Sequence, residues 1–472
     1  MQIAFDNSYA RLPAQFYTRQ NPTPVRAPQL IAFNHALAEE LGIMPGETDE
    51  LARIVTGNTL PEGADPLAQV YAGHQFGGFS PQLGDGRAML LGEVVSAKGR
   101  FDIQLKGSGR TPYSRMGDGR AWLGPVLREY VVSEAMAALG VPTSRALAAA
   151  TTGEQVFREQ GALPGAVLTR VASSHIRVGT FQFFAARRDV EALQTLYDHV
   201  VGRHYPNAAD PVAFLDAVIA AQAALVAQWM AVGFIHGVMN TDNTTLSGET
   251  IDYGPCAFMD VYHPETVFSS IDTHGRYSYA NQPRVLVWNM AQLATALVPL
   301  MPDQEEAVAA FTRSVHAMPA LIEAEWRQRF GEKIGLAQAS EDDDALISDL
   351  LELMAAGRAD FTNTFRALSS GGTAARDQFL DPAAFEHWAS RWHDRLANED
   401  APEARMRAVN PVFIPRNHRV EQMIVAAVDG DYAPFRRLLE VLAHPFADQA
   451  DAIDLGYPPT ETEVVRQTFC GT

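Results

Sequence analysis

Cysteine is nearly absent from this sequence: Cys256 and Cys470 are the two in 472 residues. So few exclude a disulfide framework and make a reducing compartment the default. Positive charge is also scarce. The 37 Lys and Arg are set against 56 Asp and Glu, a net charge of −19. This balance argues against nonspecific nucleic-acid or anionic-membrane binding as a main role. Met1 to Arg11 has neither a basic n-region nor an apolar h-region. No uninterrupted apolar run reaches the length a bilayer-spanning helix needs, and Ala146 to Ala150 is small-residue-rich but far too short. Internal repeats and long linkers are missing as well. The expectation is a cytoplasmic protein with no nucleic-acid and no membrane partner.

What is present fits a globular chain. Hydrophobic residues make up 47% and charged residues 20%, and the length allows a large core and more than one lobe. The polar chemistry is concentrated in His236-Gly237-Val238-Met239-Asn240-Thr241-Asp242-Asn243, followed by Asp252-Tyr253-Gly254. Carboxylate and amide oxygens from two neighbouring loops suit a hard divalent cation that also holds phosphates. The protein-kinase catalytic loop reads H-x-D-x-x-x-x-N, with D-F-G after it. On that template His236 takes the His position, Asn243 the metal Asn and Asp252 the metal Asp, while Val238 falls where the catalytic Asp belongs. The pattern describes a nucleotide–metal site without its usual base. A long apolar helix is expected before it and a short strand between its halves.

The rest of the chain supplies the other parts. Residues 1–60 read as a proline-punctuated structural extension, with a short helix from Asn34 to Gly42. In Ala68 to Phe79, aromatics and glycines interleave, and His74 reads as a packing residue. Gln82-Leu83-Gly84-Asp85-Gly86-Arg87 then precedes the apolar strand Ala88 to Val94, a turn, and the alternating strand Phe101 to Lys106. Glycines admit phosphates close to backbone N–H groups, and a Lys at the next strand's end adds a point charge. Between Gly107 and Arg120, glycines alternate with Arg110, Arg115 and Arg120 around Asp118 and Gly119, a composition suited to polyphosphate. Gly124-Pro125 opens a helix carrying Glu129 and Glu134, either of which is placed to orient Lys106. Residues 143–188 read as further strands. Arg170 and Arg177 bracket a Ser-Ser turn that would let both face one cleft, but each, taken singly, reads as a surface residue. From Asp189 the pattern is mainly helical, with a helix from Asp210-Pro211 to Val232, another opened by Asn281 and Pro283, and acidic runs after residue 303.

Several stretches resemble the selenoprotein O family of protein adenylyltransferases: Phe5 to Tyr9, Gln82 to Arg87, Leu105 to Arg120, Gly237 to Asp260 and His274 to Pro283. The resemblance spans essentially the whole chain. It implies an α+β, protein-kinase-like two-lobed fold, with an N-terminal extension and β-rich N-lobe over 1–188 and a helical C-lobe with its tail over 189–472. It implies ATP bound flipped relative to kinases, and AMP transfer to Ser, Thr or Tyr hydroxyls of protein substrates. Carried over by motif, Lys106 contacts the phosphates and Glu129 pairs with it. Gly84, Gly86, Arg87, Asp118, Gly119, Arg170, Arg177 and Asp252 line the nucleotide. Asn243 and Asp252 hold magnesium, with manganese as the alternative, and Asp242 is the proton acceptor. A carboxylate beside a bound cation is expected to keep a low pKa, so that Asp242 would position the hydroxyl more than deprotonate it. Some family members join a Cys beyond the metal Asp to a residue third from the C-terminus, where Cys470 stands. Cys256 follows Asp252 too closely for that partner, and Phe268 or Ser269 occupies its place, so two free thiols are expected here. The rival readings are kinase-type transfer of the γ-phosphate and a non-catalytic nucleotide-binding scaffold.

Overall fold

The computed structural model describes residues 1–159, 161–371 and 373–469. Mixed helix and strand make it an α+β protein. The first part is organised by an antiparallel sheet of order β1-β3-β6-β7-β10-β9-β2. Its strands are β1 (Tyr17–Arg19), β2 (Gln29–Phe33), β3 (Leu67–Gln69), β6 (Ala88–Ser96), β7 (Gly99–Lys106), β9 (Arg145–Arg158) and β10 (Gly161–Ala172), with β8 (Ala121–Trp122) paired to β10. A separate hairpin joins β4 (Gly73–Gln75) to β5 (Gly78–Ser80).

Period-two alternation along β7 sends Ile103 and Leu105 to one face and Gln104 and Lys106 to the other. The first face packs with Val167 and Val171 of β10 against helices α1 (His35–Glu40) and α2 (Thr48–Val55). Across the ladder Arg170 lies opposite Gln104, which puts Arg170 on the face of Lys106. Over that face runs α3 (Leu123–Ala138), whose Leu127 and Val131 bury against Leu168 and Ala166. The helices Asn417–Val428 and Ala433–Leu442 cover the far side of α3, so the end of the chain returns to the sheet.

After β10 the chain turns helical earlier than its sequence suggests. The segment read as strand up to residue 188 contains α4 (Val178–Ala186). This helix is apolar on nearly every side and buried, so no amphipathic period separates it from a buried strand. Then come α5 (Val190–His204), α6 (Pro211–Ala231), α7 (Gln282–Leu297) and α8 (Gln304–Lys333). Asp210 caps α6 through the backbone N–H groups of Val212 and Ala213. Contrary to the expectation from uninterrupted runs, α6 is long and apolar enough to cross a membrane. In this structure Phe214, Val218, Leu225 and Trp229 bury it in the core shared with α7 and α8. A second core gathers round Phe361, Trp388 and Trp392.

Between α6 and α7 the chain leaves through β11 (Phe234–Ile235) and returns through β12 (Ala257–Phe258), paired antiparallel. The expected strand between His236 and Asp252 is not formed; single bridges, Thr143 with Thr250 and Arg177 with Thr245, hold that stretch instead. Both polar loops therefore belong to one excursion closed at its base by β11 and β12.

Candidate active site

Sheet, α3 and the β11–β12 excursion enclose a cavity of about 630 Å³. At its floor Lys106 Nζ lies 2.6 Å from Glu129 Oε2 and 2.9 Å from Asp252 Oδ1. Arg170 reaches Asp252 Oδ1 at 2.5 Å and Glu129 Oε1 at 3.1 Å, and Arg177 reaches Asp252 Oδ2 at 2.7 Å. The choice between the two glutamates is thereby made: Glu129 takes Lys106, while Glu134 faces away and binds Arg145 at 2.7 Å. Arg170 and Arg177 are not surface residues; both are buried, and both converge on Asp252. Arg170 gets there from its register opposite Gln104, whose Oε1 accepts a bond from it at 2.5 Å. Arg177 gets there because it stands at the start of α4, its guanidinium 4.5 Å from the Tyr71 ring centroid.

Asp252 is built under constraint. Its φ of 61° is left-handed, a conformation that Asp tolerates better than most side chains. Burial pushes its carboxyl up, but Lys106, Arg170 and Arg177 outweigh burial and hold it well below the usual carboxylate range. His236 ties the two loops of the excursion: its Nε2 lies 2.9 Å from the Ile251 carbonyl, while Gln282 Oε1 accepts its backbone N–H. Asn243 donates through Nδ2 to the Val238 carbonyl at 3.0 Å. Its amide oxygen, Oδ1, an acceptor, has no protein donor among the described residues.

Asn243 Oδ1 and the Asp252 carboxylate offer a mixed oxygen set on the cavity wall. No group of three or more His, Cys, Asp or Glu able to hold a metal ion occurs among the described residues. One carboxylate and one amide oxygen suit magnesium, which keeps waters and substrate phosphates in its remaining positions. The donor set fits that ion and would not make an all-protein cage.

Asp242 adjoins this floor through Arg177, whose Nη1 donates to its backbone carbonyl at 2.6 Å. Gln75 Nε2 donates to its Oδ2 at 3.1 Å, and its Oδ1 is buried without a hydrogen-bond partner. Burial pushes its carboxyl up to about 6, against the Gln75 bond and the Arg177 charge. Desolvation is the largest influence on it, whereas the expected low value belongs to the state with a cation bound. Gly73 permits the approach: a Cβ there would sit 2.5 Å from Asp242 Oδ1. Val238, where the kinase template has its Asp, lines the same cavity as a buried apolar side chain.

The roof is made of the two glycine-bearing stretches. Thr111 Oγ1 donates to the Asp85 carbonyl at 2.7 Å, and Ser114 Oγ to the Gly86 carbonyl, stitching 107–120 onto 84–87. Gly84, at φ 138°, has no space for a side chain, since a Cβ would meet the Tyr113 ring at 2.5 Å. Gly119, at φ 70°, would drive a Cβ to 2.2 Å from the Gly109 backbone. Gly86, Arg87, Arg115 and Asp118 line the cavity as well. Asp118 is held by Arg158 at 2.8 Å and caps the Arg120 N–H. Arg120 lines the cavity too, its guanidinium donating to the Thr23 and Pro24 carbonyls.

Sequence reasoning missed four contributors. Gln75 binds Asp242, Tyr71 supports Arg177, Asn240 accepts from the Phe76 N–H at 3.1 Å, and Phe76 lines the cavity. The aromatic and glycine interleaving of 68–79 was the available signal, and it read equally well as packing. His74 does pack, edge-on to Trp288, with its Nδ1 bonded to Gln182. Cys256 is buried, and burial pushes its thiol up to about 12; Cys470 lies outside the described residues. Thr468 bridges to Ser269, in the stretch where the family's partner cysteine was expected.

A buried Lys–Glu pair, an acid gathering three cations and a glycine roof define an enzyme cavity built for a polyanionic ligand. Comparison with known proteins narrows this class. Residues 1–443 match the family model Protein adenylyltransferase SelO, and the chain belongs to that family of nucleotidyltransferases. It is 65% identical over 471 residues to the protein nucleotidyltransferase YdiU of Ruegeria pomeroyi, covering 100% of this chain and 99% of that protein. The YdiU of Ruegeria sp. strain TM1040 is 66% identical over 473 residues, with 100% of both chains covered. That of Bradyrhizobium diazoefficiens is 58% identical over 490 residues, again with both covered in full.

Proposed function

We propose that the protein transfers AMP from ATP to Ser, Thr or Tyr hydroxyls of other proteins, with magnesium as cofactor. The observation that carries this is the floor of the cavity: Lys106, Arg170 and Arg177 converge on one acid, while the kinase base position holds Val238. Family membership supports the same reading. The order of elements supports a kinase-like two-lobed plan, with the sheet as one lobe and α4 to α8 as the other.

In this reading the hydroxyl oxygen attacks the α-phosphorus, the Pα–O–Pβ bond breaks, and pyrophosphate leaves with its electron pair. Magnesium held by Asn243 and Asp252 would neutralise phosphate charge. Lys106, oriented by Glu129, contacts the phosphates. Arg170 and Arg177, fixed by buried partners, stabilise the charge growing on the leaving group without reorganising. Gly84, Gly86, Arg87, Asp118 and Gly119 surround the nucleotide, which enters with its phosphates reversed relative to a kinase. Asp242 accepts the hydroxyl proton. It suits the role by position, as a cavity carboxylate with one oxygen free of protein donors.

The test uses ATP labelled on the α- or the γ-phosphate, with magnesium and an acceptor protein. Label from the α position alone, with a mass gain of one AMP, is the expected result. Label from the γ position alone would make the protein a kinase. ATP binding with no label from either position, on any acceptor, would make it a scaffold.

A further inference from the structure

The His274–Pro283 stretch, prominent in the sequence, has no part in the nucleotide cavity. It walls a second groove of about 450 Å³. We propose that this groove, formed by Phe76, Ile271, His274, Arg276, Arg284 and Trp288, docks the acceptor protein. The segment it takes is extended and carries acidic and bulky apolar residues beside the hydroxyl to be modified. This rests on the AMP-transfer reading of the neighbouring cavity.

The first ground is continuity. Phe76 and Ile271 line both spaces. Asn240 Oδ1 accepts from the Phe76 N–H at 3.1 Å and from the Tyr277 hydroxyl at 2.6 Å, while Gln75, next to Phe76, holds Asp242. The groove wall and the carboxylate that receives the hydroxyl proton thus share one set of bonds. A hydroxyl presented at Asp242 brings its chain neighbours with it, at about 3.3 Å per extended residue. With the glycine roof over the nucleotide on one side, the groove is the adjoining space.

The second ground is charge. In a chain of net charge −19, neither Arg276 nor Arg284 has a carboxylate within salt-bridge distance among the described residues. Arg276 lies against Trp288, 5.0 Å from its ring centroid, with Nε buried and without a hydrogen-bond partner. The acid in the lining, Asp272, is buried and accepts the backbone N–H groups of Arg276 and Tyr277 at 2.9 and 2.7 Å. Its role is to shape the loop.

The third ground is apolar surface held at the junction. Phe76 and Gly77, between β4 and β5, have φ of 52° and 87°. A two-residue turn of that hand favours Asn-Gly, yet a Phe stands there with its ring 39% exposed. The ring lies 5.2 Å from that of Tyr277. Ile271 opposite is 53% exposed. A bulky side chain of the incoming segment would cover both.

The test measures AMP transfer from α-labelled ATP to matched serine peptides whose neighbours are Glu and Phe, Gln and Phe, or Lys and Phe. The acidic peptide is expected to have a lower KM by about fivefold for each arginine engaged. Arg284→Glu, on the exposed first turn of α7, should shift the preference to the Lys peptide, with the KM for ATP unchanged. Arg276→Gln should raise the KM of the acidic peptide alone and serves as the neutral second variant. Equal KM values across the peptides, a basic preference in the unmutated protein, or no shift in Arg284→Glu would each overturn the docking site while leaving AMP transfer standing. Label on no acceptor of any kind would overturn both readings.

Discussion

Two buried ionic clusters sit in this molecule, made from the same residue types and put to different ends. One is the cavity floor of Lys106, Glu129, Arg170, Arg177 and Asp252. The other lies further along the same face of β7, where Asp102 receives Arg203 at 2.6 Å and His175 at 2.9 Å, and Glu93, its neighbour on β6, receives Arg203 at 3.1 Å and Arg100 at 3.2 Å. In the second the carboxylates are closed off: the side chains of Glu93 and Asp102 are 0% and 2% exposed, and only Arg100, at 23%, reaches the surface. The first is open, with Asp252 at 19% and Lys106 at 11%. Closed carboxylates have only protein partners, so losing one partner strands another in a low-dielectric interior. Open charges reach into a space where a ligand completes them. Similar partners and distances thus report structure in one place and chemistry in the other, and what separates them is the side that faces the cavity.

The sharpest way to break the comparison is to remove one carboxylate from each cluster while keeping its shape. Asp252→Asn retains a residue that tolerates the left-handed backbone. It is expected to lower AMP transfer by at least about 10³-fold, since it takes the anchor of three cations and, on the proposed reading, a magnesium ligand together. Transfer at more than a tenth of the normal rate would remove Asp252 from the site. Asp102→Asn is expected to do the reverse. It should destabilise the protein by about 3–5 kcal/mol, read as a lower denaturation midpoint, with the rate per folded molecule unchanged. In the native protein, burial pushes the Asp102 carboxyl up, but Arg203 and His175 outweigh it and hold it below its ordinary value. Its stabilising share is therefore full above about pH 4 and is lost as pH falls below that. A variant as stable as the parent would show that closure does not mark a structural cluster.

Lys106→Met comes next in size. It removes the charge proposed to bind phosphate and leaves Arg170 to hold Glu129 and Asp252. A loss of about 10²-fold in kcat/KM is expected, with a smaller stability change than in Asp102→Asn. An unchanged rate would mean that the pair only fastens α3 to β7.

Much of this was legible before any coordinates. The glycine roof, Lys106 at its strand end, and the presence of Asn243 and Asp252 in one cavity were readable because each depends on local chemistry: left-handed turns, strand alternation, and short spacing between polar side chains. For Arg170 and Arg177 the residues gave only a shared turn that would let both face one cleft, and the family resemblance was needed to choose that over the surface. Their convergence needs the register of β10 against β7 and the start of α4, and α4 was hidden by being apolar on nearly all sides. Gln75 and Asn240 were missed for the same reason. Both act across more than 160 residues of sequence, where spacing carries no signal. The low value expected for Asp242 belongs to the cation-bound state, while burial is what pushes its carboxyl up in the protein itself.

The smallest effect separates two residues that the sequence left equivalent. Glu129 and Glu134 ride one helix, about 140° apart around its axis, so periodicity sends them to different surroundings without saying which meets Lys106. In the fold Glu134 binds Arg145, the Asn34 side chain at 2.9 Å and the Ala146 N–H at 2.8 Å. Glu134→Gln keeps most of that hydrogen bonding and loses a half-open ion pair, so it should cost about 1 kcal/mol of stability and leave kcat/KM within about twofold. Glu129→Gln should instead lower kcat/KM by about tenfold, through misdirection of Lys106, at a similar denaturation midpoint. If the two variants exchanged these effects, the Lys106–Glu129 pair at 2.6 Å would be a fastening of the resting protein, and the working partner of Lys106 would have to be sought on the next turn of α3.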